Sequence, residues 1–221
     1  ITDDGSGIHE DDLSLSLDRH ATSKLSSEED LAAIGTLGFR GEALASIGMV
    51  SMLSISSRPP GTEGRKIVMD NGNKSSIEPV GMAIGTSIEV SNIFANQPAR
   101  LAFQRRPATE TSKIVDVVVS HAISHPEVGF RLVSDEKVIL EVPAVEDMED
   151  RLYDILGRQA SKMIAISSPP EDEAAPGEES WRGWISTPDI TRGKGDDIHI
   201  LINGRPVAAQ PFLQSIRRGY R

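Results

Sequence analysis

Four short segments bring together residue types that bind polar or charged ligands. The first is Asp3-Asp4-Gly5-Ser6-Gly7-Ile8, directly after Ile1-Thr2, which reads as the end of a strand. A carboxylate at a strand terminus accepts a hydrogen bond from an exocyclic amine such as that of adenine, and glycines let the backbone approach a base and sugar. The same run is equally ordinary turn chemistry, or a loop that holds calcium through its carboxylates. The second is Leu37-Gly38-Phe39-Arg40-Gly41-Glu42-Ala43-Leu44, a glycine-bracketed loop feeding into a helix. Backbone N–H groups at a helix start, with a cation beside them, cradle an anion or phosphate. As a plain turn, the same loop leaves Arg40 on the surface. Between these lies His20-Ala21-Thr22-Ser23-Lys24, where two hydroxyls and an ammonium are placed to close over a triphosphate, or simply to cap a helix beside a solvated lysine. The fourth is Gly85-Thr86-Ser87-Ile88-Glu89-Val90, followed by Asn92 through Arg100. A threonine opening a strand reaches the same base that an aspartate reads from across a pocket, although Gly-Thr before a strand is also common turn chemistry.

The elements that must position these residues follow from pattern. Leu13 and Leu17 fall on one helical face, and 28–34 and 42–48 are two further short helices separated by Gly35, Gly38 and Gly41. Residues 50–57 alternate as a strand. Residues 66–70 and 75–80 flank Asn71-Gly72-Asn73, a hairpin signal because Asn and Gly tolerate positive φ. Residues 86–90 form another strand, and 98–103 begin a helix with Pro98 in its first turn. Thr111 caps a helix carrying Ile114, Val117, Val118 and Ala122 at helical spacing, stopped by Pro126. A second hairpin pairs 130–133 with 138–142, and a helix near 151–156 ends at Gly157. Beyond it, 163–167, 181–186 and 198–203 read as strands and 210–218 as a helix, with a Pro, Glu and Gly rich surface loop over 169–180. The acidic, apolar-poor stretch 143–147 places a domain boundary near residue 145. The order of elements predicts an α+β fold, a two-layer sandwich in 1–145 and a partial α+β second domain in 146–221.

Composition bounds the function. Of 221 residues, 38% are apolar and 25% charged, as in a soluble globular chain, and there are no cysteines, which removes disulfides, thiolate zinc sites and cysteine nucleophiles. An intracellular setting is the simpler reading. No apolar run approaches the roughly 20 residues that span a bilayer as a helix, so no membrane partner is expected. A net charge of −10 argues against nucleic-acid affinity spread over the whole surface, so any DNA contact needs a local basic patch. Arg100, Arg105 and Arg106 form one such cluster; Arg205, Arg217, Arg218 and Arg221 form another, and surface arginines are more often plain solvated charges.

Taken in this order, the motifs resemble the MutL family of the GHKL ATPase superfamily. DDGSGI is similar to that superfamily's adenine-reading motif; HATSK, LGFRGEAL and GTSIEVSNIFANQPAR are similar to the lid, phosphate loop and later strand-turn of the MutL branch. LINGRPV resembles the strand and turn of the family's second domain, whose fold is like that of a ribosomal small-subunit protein. The resemblance implies that Asp3 reads the adenine amine, that Gly5 and Gly7 leave room for the base, and that Thr86 supports the aspartate. It implies that Thr22, Ser23 and Lys24 lie in the lid, and that Gly38, Phe39, Arg40, Gly41, Glu42, Ala43 and Leu44 face the phosphates. Asp4 stands where the superfamily more often has asparagine.

The implied activity is that of a DNA mismatch-repair ATPase using ATP and Mg²⁺. Its lid closes, its N-terminal region dimerises with itself or a paralogue, and the clamp links a MutS-type mismatch-recognition protein to excision on DNA. In a prokaryote this implies a cytoplasmic, nucleoid-associated protein, in a eukaryote a nuclear one. The family's general-base glutamate, magnesium-binding asparagine and γ-phosphate lysine are expected outside these 221 residues, which begin at Ile1 without a signal core. Negligible ATP hydrolysis is therefore expected from these residues alone. The alternatives are another GHKL ATPase, such as a gyrase-type subunit, and a non-enzymatic interaction module.

Overall fold

The computed structural model describes residues 1–19, 42–168, 180–190 and 198–219. The expected helix over 28–34, the lid motif with Thr22, Ser23 and Lys24, the loop residues Gly38 to Gly41, most of the 169–180 loop and Arg221 lie outside the described residues. The chain divides into two compact units, Ile1–Gln104 and Arg105–Arg221.

In the first unit an antiparallel sheet is built from β1 (Thr2–Asp3), β2 (Met52–Arg58), β3 (Arg65–Asp70), β4 (Asn73–Lys74), β5 (Glu78–Pro79) and β6 (Gly85–Ser91). Its order is β1-β6-β2-β3-β4, with β5 also on β3. Strand β2 alternates because a strand's side chains alternate faces: Leu53, Ile55 and Ser57 are buried, while Met52 is exposed and Ser54, Ser56 and Arg58 are partly so. The buried face is covered by α1 (Glu10–Leu15) and α2 (Ala43–Gly48), and Leu13, Leu17, Leu53, Ile55, Ile67 and Met69 form the core, with Ile8, Leu44, Ile47, Ile77 and Ile88 packed against it. The opposite face stays polar, as in antiparallel sheets packed on one side. A short helix, α3 (Pro98–Ala102), follows β6.

Two local devices fix this layer. Asn71 and Gly72 have φ of 47° and 91°, the paired positive values of a type I′ turn, which sets Asp70 opposite Asn73. Helix α1, with Glu10, Asp11 and Asp12 complementing the dipole of its first turn, is then tied at both ends. Arg65 Nε donates to Glu10 Oε2 at 2.9 Å, and Lys74 Nζ donates to Ser14 O at 2.8 Å and Asp18 Oδ1 at 2.6 Å.

The second unit holds α4 (Pro107–Ser124), the hairpin β7 (Phe130–Ser134) and β8 (Lys137–Val142), α5 (Met148–Leu156), a 3-10 turn over Gly157–Lys162, the pair β9 (Met163–Ser167) and β10 (Arg182–Ser186), the pair β11 (Ile200–Ile202) and β12 (Arg205–Val207), and α6 (Leu213–Gly219). Among the described residues its strands form three separate two-stranded sheets. Helix α4 starts at Pro107 rather than after Thr111, because proline suits the first helical position, where its missing N–H has no partner to lose.

The compact units divide between Gln104 and Arg105, so the acidic stretch expected to hold a boundary falls inside the second unit. The reason is visible around Arg151. Its fully buried guanidinium donates through Nη2 to the carbonyls of Pro126 and Val128, both at 2.8 Å, and Val145 N–H donates to Pro126 O at 2.8 Å. The acidic stretch 143–147 is therefore sewn into the second unit. No helix among the described residues is long and apolar enough to cross a membrane.

Ile55 is fully buried in the first core. Ile55→Ala is expected to destabilise the first unit by about 2–5 kcal/mol, read as a lower urea midpoint; an unchanged midpoint would contradict this placement of the core.

Candidate functional site

Three polar side chains line up across the sheet. Asp3 on β1 is registered opposite Thr86 on β6, and Thr86 is registered opposite Ser57 on β2. Residues opposed in this way point to one face. Ser57 is two residues along from Ile55, so the row lies on the helix-covered face, at its edge. Burial deepens along it: Asp3 is exposed, Thr86 is 7% exposed and Ser57 fully buried.

The Asp3 carboxylate is held by backbone. Its Oδ1 accepts from Gly5 N–H at 3.0 Å and from Thr86 N–H at 3.1 Å, while Oδ2 has no partner among the described residues. One acceptor oxygen is thus fixed, and the other is unpaired among the described residues. Ser57 Oγ accepts from Ile8 N–H at 2.7 Å, donates to Gly85 O at 3.1 Å and lies 3.1 Å from Thr86 Oγ1. The loop that follows Asp3 and the start of β6 are therefore joined through one hydroxyl.

Two glycines allow this closeness. Gly7 has φ of 72°, and a Cβ there would lie 2.7 Å from the backbone of Arg58; Gly85 has φ of 124°, and a Cβ there would lie 2.1 Å from the Asp3 carbonyl oxygen. Neither tolerates a side chain without moving a strand. Gly5 is tight rather than blocked, its hypothetical Cβ 3.1 Å from Asp3 Oδ1.

Asp3, Gly5, Gly7 and Thr86 are thus brought into one cluster. Glu42 occupies the cap position of α2 and Ala43 and Leu44 open that helix, with Leu44 packed on the same core as Ile8. Ser57 belongs to no motif. Its one sequence signal is that it is a serine in the apolar phase of an alternating strand, the position where a buried leucine or isoleucine is expected. A cleft of about 430 Å³ opens nearby between residues 58–64 and 79–82, across which Arg58 donates to Thr62 O at 3.0 Å and Met82 O at 2.8 Å. Asp3, Gly7 and Thr86 do not line it.

The arginines of the two clusters are shared between the units. Arg100, in the first unit, holds its guanidinium 5.8 Å from the Phe94 ring centroid. Arg105 and Arg106 belong to the second unit, where Arg105 backbone N–H donates to Glu110 Oε1 at 3.3 Å and Arg106 stands at the N-cap position of α4 without a side-chain capping bond. Arg205 lies on β12, and Arg217 and Arg218 occupy the last turn of α6. Among the described residues no group of three or more His, Cys, Asp or Glu side chains is placed to hold a metal ion.

Comparison with known proteins gives this arrangement its class. The chain superposes on the Aquifex aeolicus MutL ATPase domain complexed with ADP with a TM-score of 0.69 at 24% identity, over 98% of this chain and 73% of that one. It also superposes on the N-terminal domain of a DNA repair protein with a TM-score of 0.78 at 23% identity, over 99% of this chain and 68% of that one. The chain shares the fold of these domains, α+β with antiparallel sheets. The family model described as DNA mismatch repair protein, C-terminal domain, matches residues 152–221. Over the whole chain, the DNA mismatch repair proteins MutL of Streptococcus equi subsp. equi and Geobacillus kaustophilus are both 40% identical, and that of Halobacterium salinarum is 33% identical. The chain belongs to the MutL family of DNA mismatch-repair proteins. It spans about a third of the length of these relatives, 33% of the Streptococcus protein and 34% of the Geobacillus protein.

Gly85→Ala is expected to cost about 2 kcal/mol or more through positive-φ strain and to loosen β1. Amide exchange at Ile88, whose N–H donates to Ile1 O at 2.7 Å, would accelerate. Unaltered exchange there would show that β1 does not depend on Gly85.

Proposed function

We propose that this chain is the adenine-nucleotide-binding portion of a MutL-type mismatch-repair ATPase. The observation that carries the reading is the Asp3 carboxylate, pinned through Oδ1 by two backbone N–H groups while Oδ2 has no partner among the described residues. An acceptor fixed in this way suits the 6-amino group of adenine, which donates, and not the 6-oxo group of guanine, which accepts. Gly5 and Gly7 keep the adjoining backbone clear of side chains, and Thr86 sets the far side of the carboxylate. The ADP named in the Aquifex structure supports the same ligand class for this fold.

In the whole protein, ATP binding orders the lid through Thr22, Ser23 and Lys24 and the phosphate loop from Gly38 to Leu44. Lid ordering favours an N-terminal dimer, with itself or a paralogue, that closes on DNA, and hydrolysis reopens it. The clamp passes mismatch recognition by a MutS-type partner to excision. The 40% identity to MutL proteins along the whole chain favours this reading over a gyrase-type subunit or a non-enzymatic module. The family resemblance also implies Mg²⁺, for which the described residues offer no carboxylate cluster. DNA contact is assigned to the arginines: Arg100, Arg105 and Arg106, and Arg205, Arg217 and Arg218 within the segment that matches the mismatch-repair family model.

Removing the charged acceptor tests the nucleotide reading. Asp3→Asn is expected to raise the ADP dissociation constant by about ten- to a hundredfold, the worth of a charge-assisted hydrogen bond, in isothermal titration of the protein. Equal affinity of the two proteins for ADP would sink the reading. For DNA, reversing both charges at Arg217 and Arg218 is expected to weaken binding evenly across sequences and to flatten the dependence of log affinity on log salt by roughly one unit per lost phosphate contact. An identical salt slope would remove these arginines from the interface.

A further inference from the structure

We infer that Ser57 is a positioning residue for base recognition, setting the hydroxyl of Thr86 and so the selectivity for a 6-amino over a 6-oxo purine. The inference rests on the nucleotide reading of Asp3. It starts from an anomaly in the packing. Leu53, Ile55 and Ser57 share the buried phase of β2, and a fully buried hydroxyl there is favourable only when its bonding capacity is used. Ser57 uses all of it.

A serine hydroxyl has one proton and two lone pairs, and Ser57 has three partners: Ile8 N–H at 2.7 Å, Gly85 O at 3.1 Å and Thr86 Oγ1 at 3.1 Å. Ile8 N–H only donates and Gly85 O only accepts. All three contacts are hydrogen bonds at once when Ser57 accepts from Ile8, donates to Gly85 and accepts from Thr86. The proton of Thr86 is then directed inward, and the oxygen keeps only lone pairs for the pocket. Asp3, beside it in the same row, likewise presents an acceptor. Two neighbouring acceptors match a purine edge that donates two protons, an amino group, and oppose one that carries a carbonyl.

Ser57 also ties the Gly7-Ile8 backbone to the start of β6, so a purely structural role would lower stability and all ligand affinities together. Base selectivity separates the two roles. The experiment measures dissociation constants of ADP and inosine diphosphate for the wild-type protein, Ser57→Ala, Ser57→Cys and Ile55→Val. Ser57→Cys keeps nearly the shape of serine with a weak donor and acceptor, and carries the test if the alanine variant does not fold. Ile55→Val perturbs the same strand without touching the polar row.

The expected result is that the preference for ADP over inosine diphosphate falls about tenfold or more in the Ser57 variants and is unchanged in Ile55→Val. An unchanged preference in the Ser57 variants overturns the inference, as does an equal fall in Ile55→Val. A wild-type protein that binds neither nucleotide, or both equally, overturns the nucleotide reading itself, and that outcome is seen before any substitution is made.

Discussion

The closing of β1 onto β6 is the constraint on which the site depends. Strand β1 carries Asp3 and pairs with β6 through Thr2 and Asp3. What holds it is a set of contacts with β6: Ile88 N–H bonded to the Ile1 carbonyl, Thr86 N–H bonded to the Asp3 carboxylate, and Gly85 with no side chain to fend off the Asp3 carbonyl. The Asp3 and Thr86 halves of the site are 83 residues apart in sequence. The acceptor that would read a base therefore exists only after the sheet has assembled, and loop-closure entropy opposes its formation until then.

The second dependence is on polarity within an apolar layer. The helix-covered face is built from Leu53, Ile55, Ile67, Met69 and Ile88 against Leu13 and Leu17, and at its edge the same strands present Asp3, Thr86 and Ser57. Withdrawal from water strengthens each hydrogen bond in the row and makes each unmet one costly. The gradient from exposed Asp3 to buried Ser57 lets the outer group meet a ligand while the inner one is saturated by the protein.

Much of this was legible in the sequence, for reasons that differ between elements. Asn71-Gly72 and Asn203-Gly204 both adopt paired positive φ, as their side chains permit; the first turn lies where its dipeptide suggested, and the second takes Asn203 out of the strand expected over 198–203. Alternation marked β2 to within two residues at its start. The pairing of the Asp-Gly motif with Gly85-Thr86 followed from family resemblance, since no local rule brings residues so far apart together. Ser57 escaped notice because a serine in a strand carries no motif, and its importance comes from three partners contributed by other segments. The acidic stretch expected to mark a boundary near residue 145 lies inside the second compact unit, while the family model begins at residue 152. The buried Arg151 and the Val145 N–H both bond the Pro126 carbonyl, and this binds the stretch to its neighbours. The segment Asp135-Glu136 forms a tight turn with φ of 48° and 63° without any glycine, so composition alone understated how sharply the chain bends there.

The tie between Lys74 and α1 gives the Asn71-Gly72 turn a reach beyond its own hairpin. Lys74 is the second residue of β4, opposite Met69, and its ammonium spans to Ser14 and Asp18. Because side chains alternate faces, a shift of one residue in that pairing would carry the ammonium to the other side of the sheet. The turn thus works as a ruler: by counting residues between β3 and β4 it determines whether the end of α1 is moored. A helix that opens directly after the Asp-Gly motif takes its alignment from a bend more than fifty residues downstream.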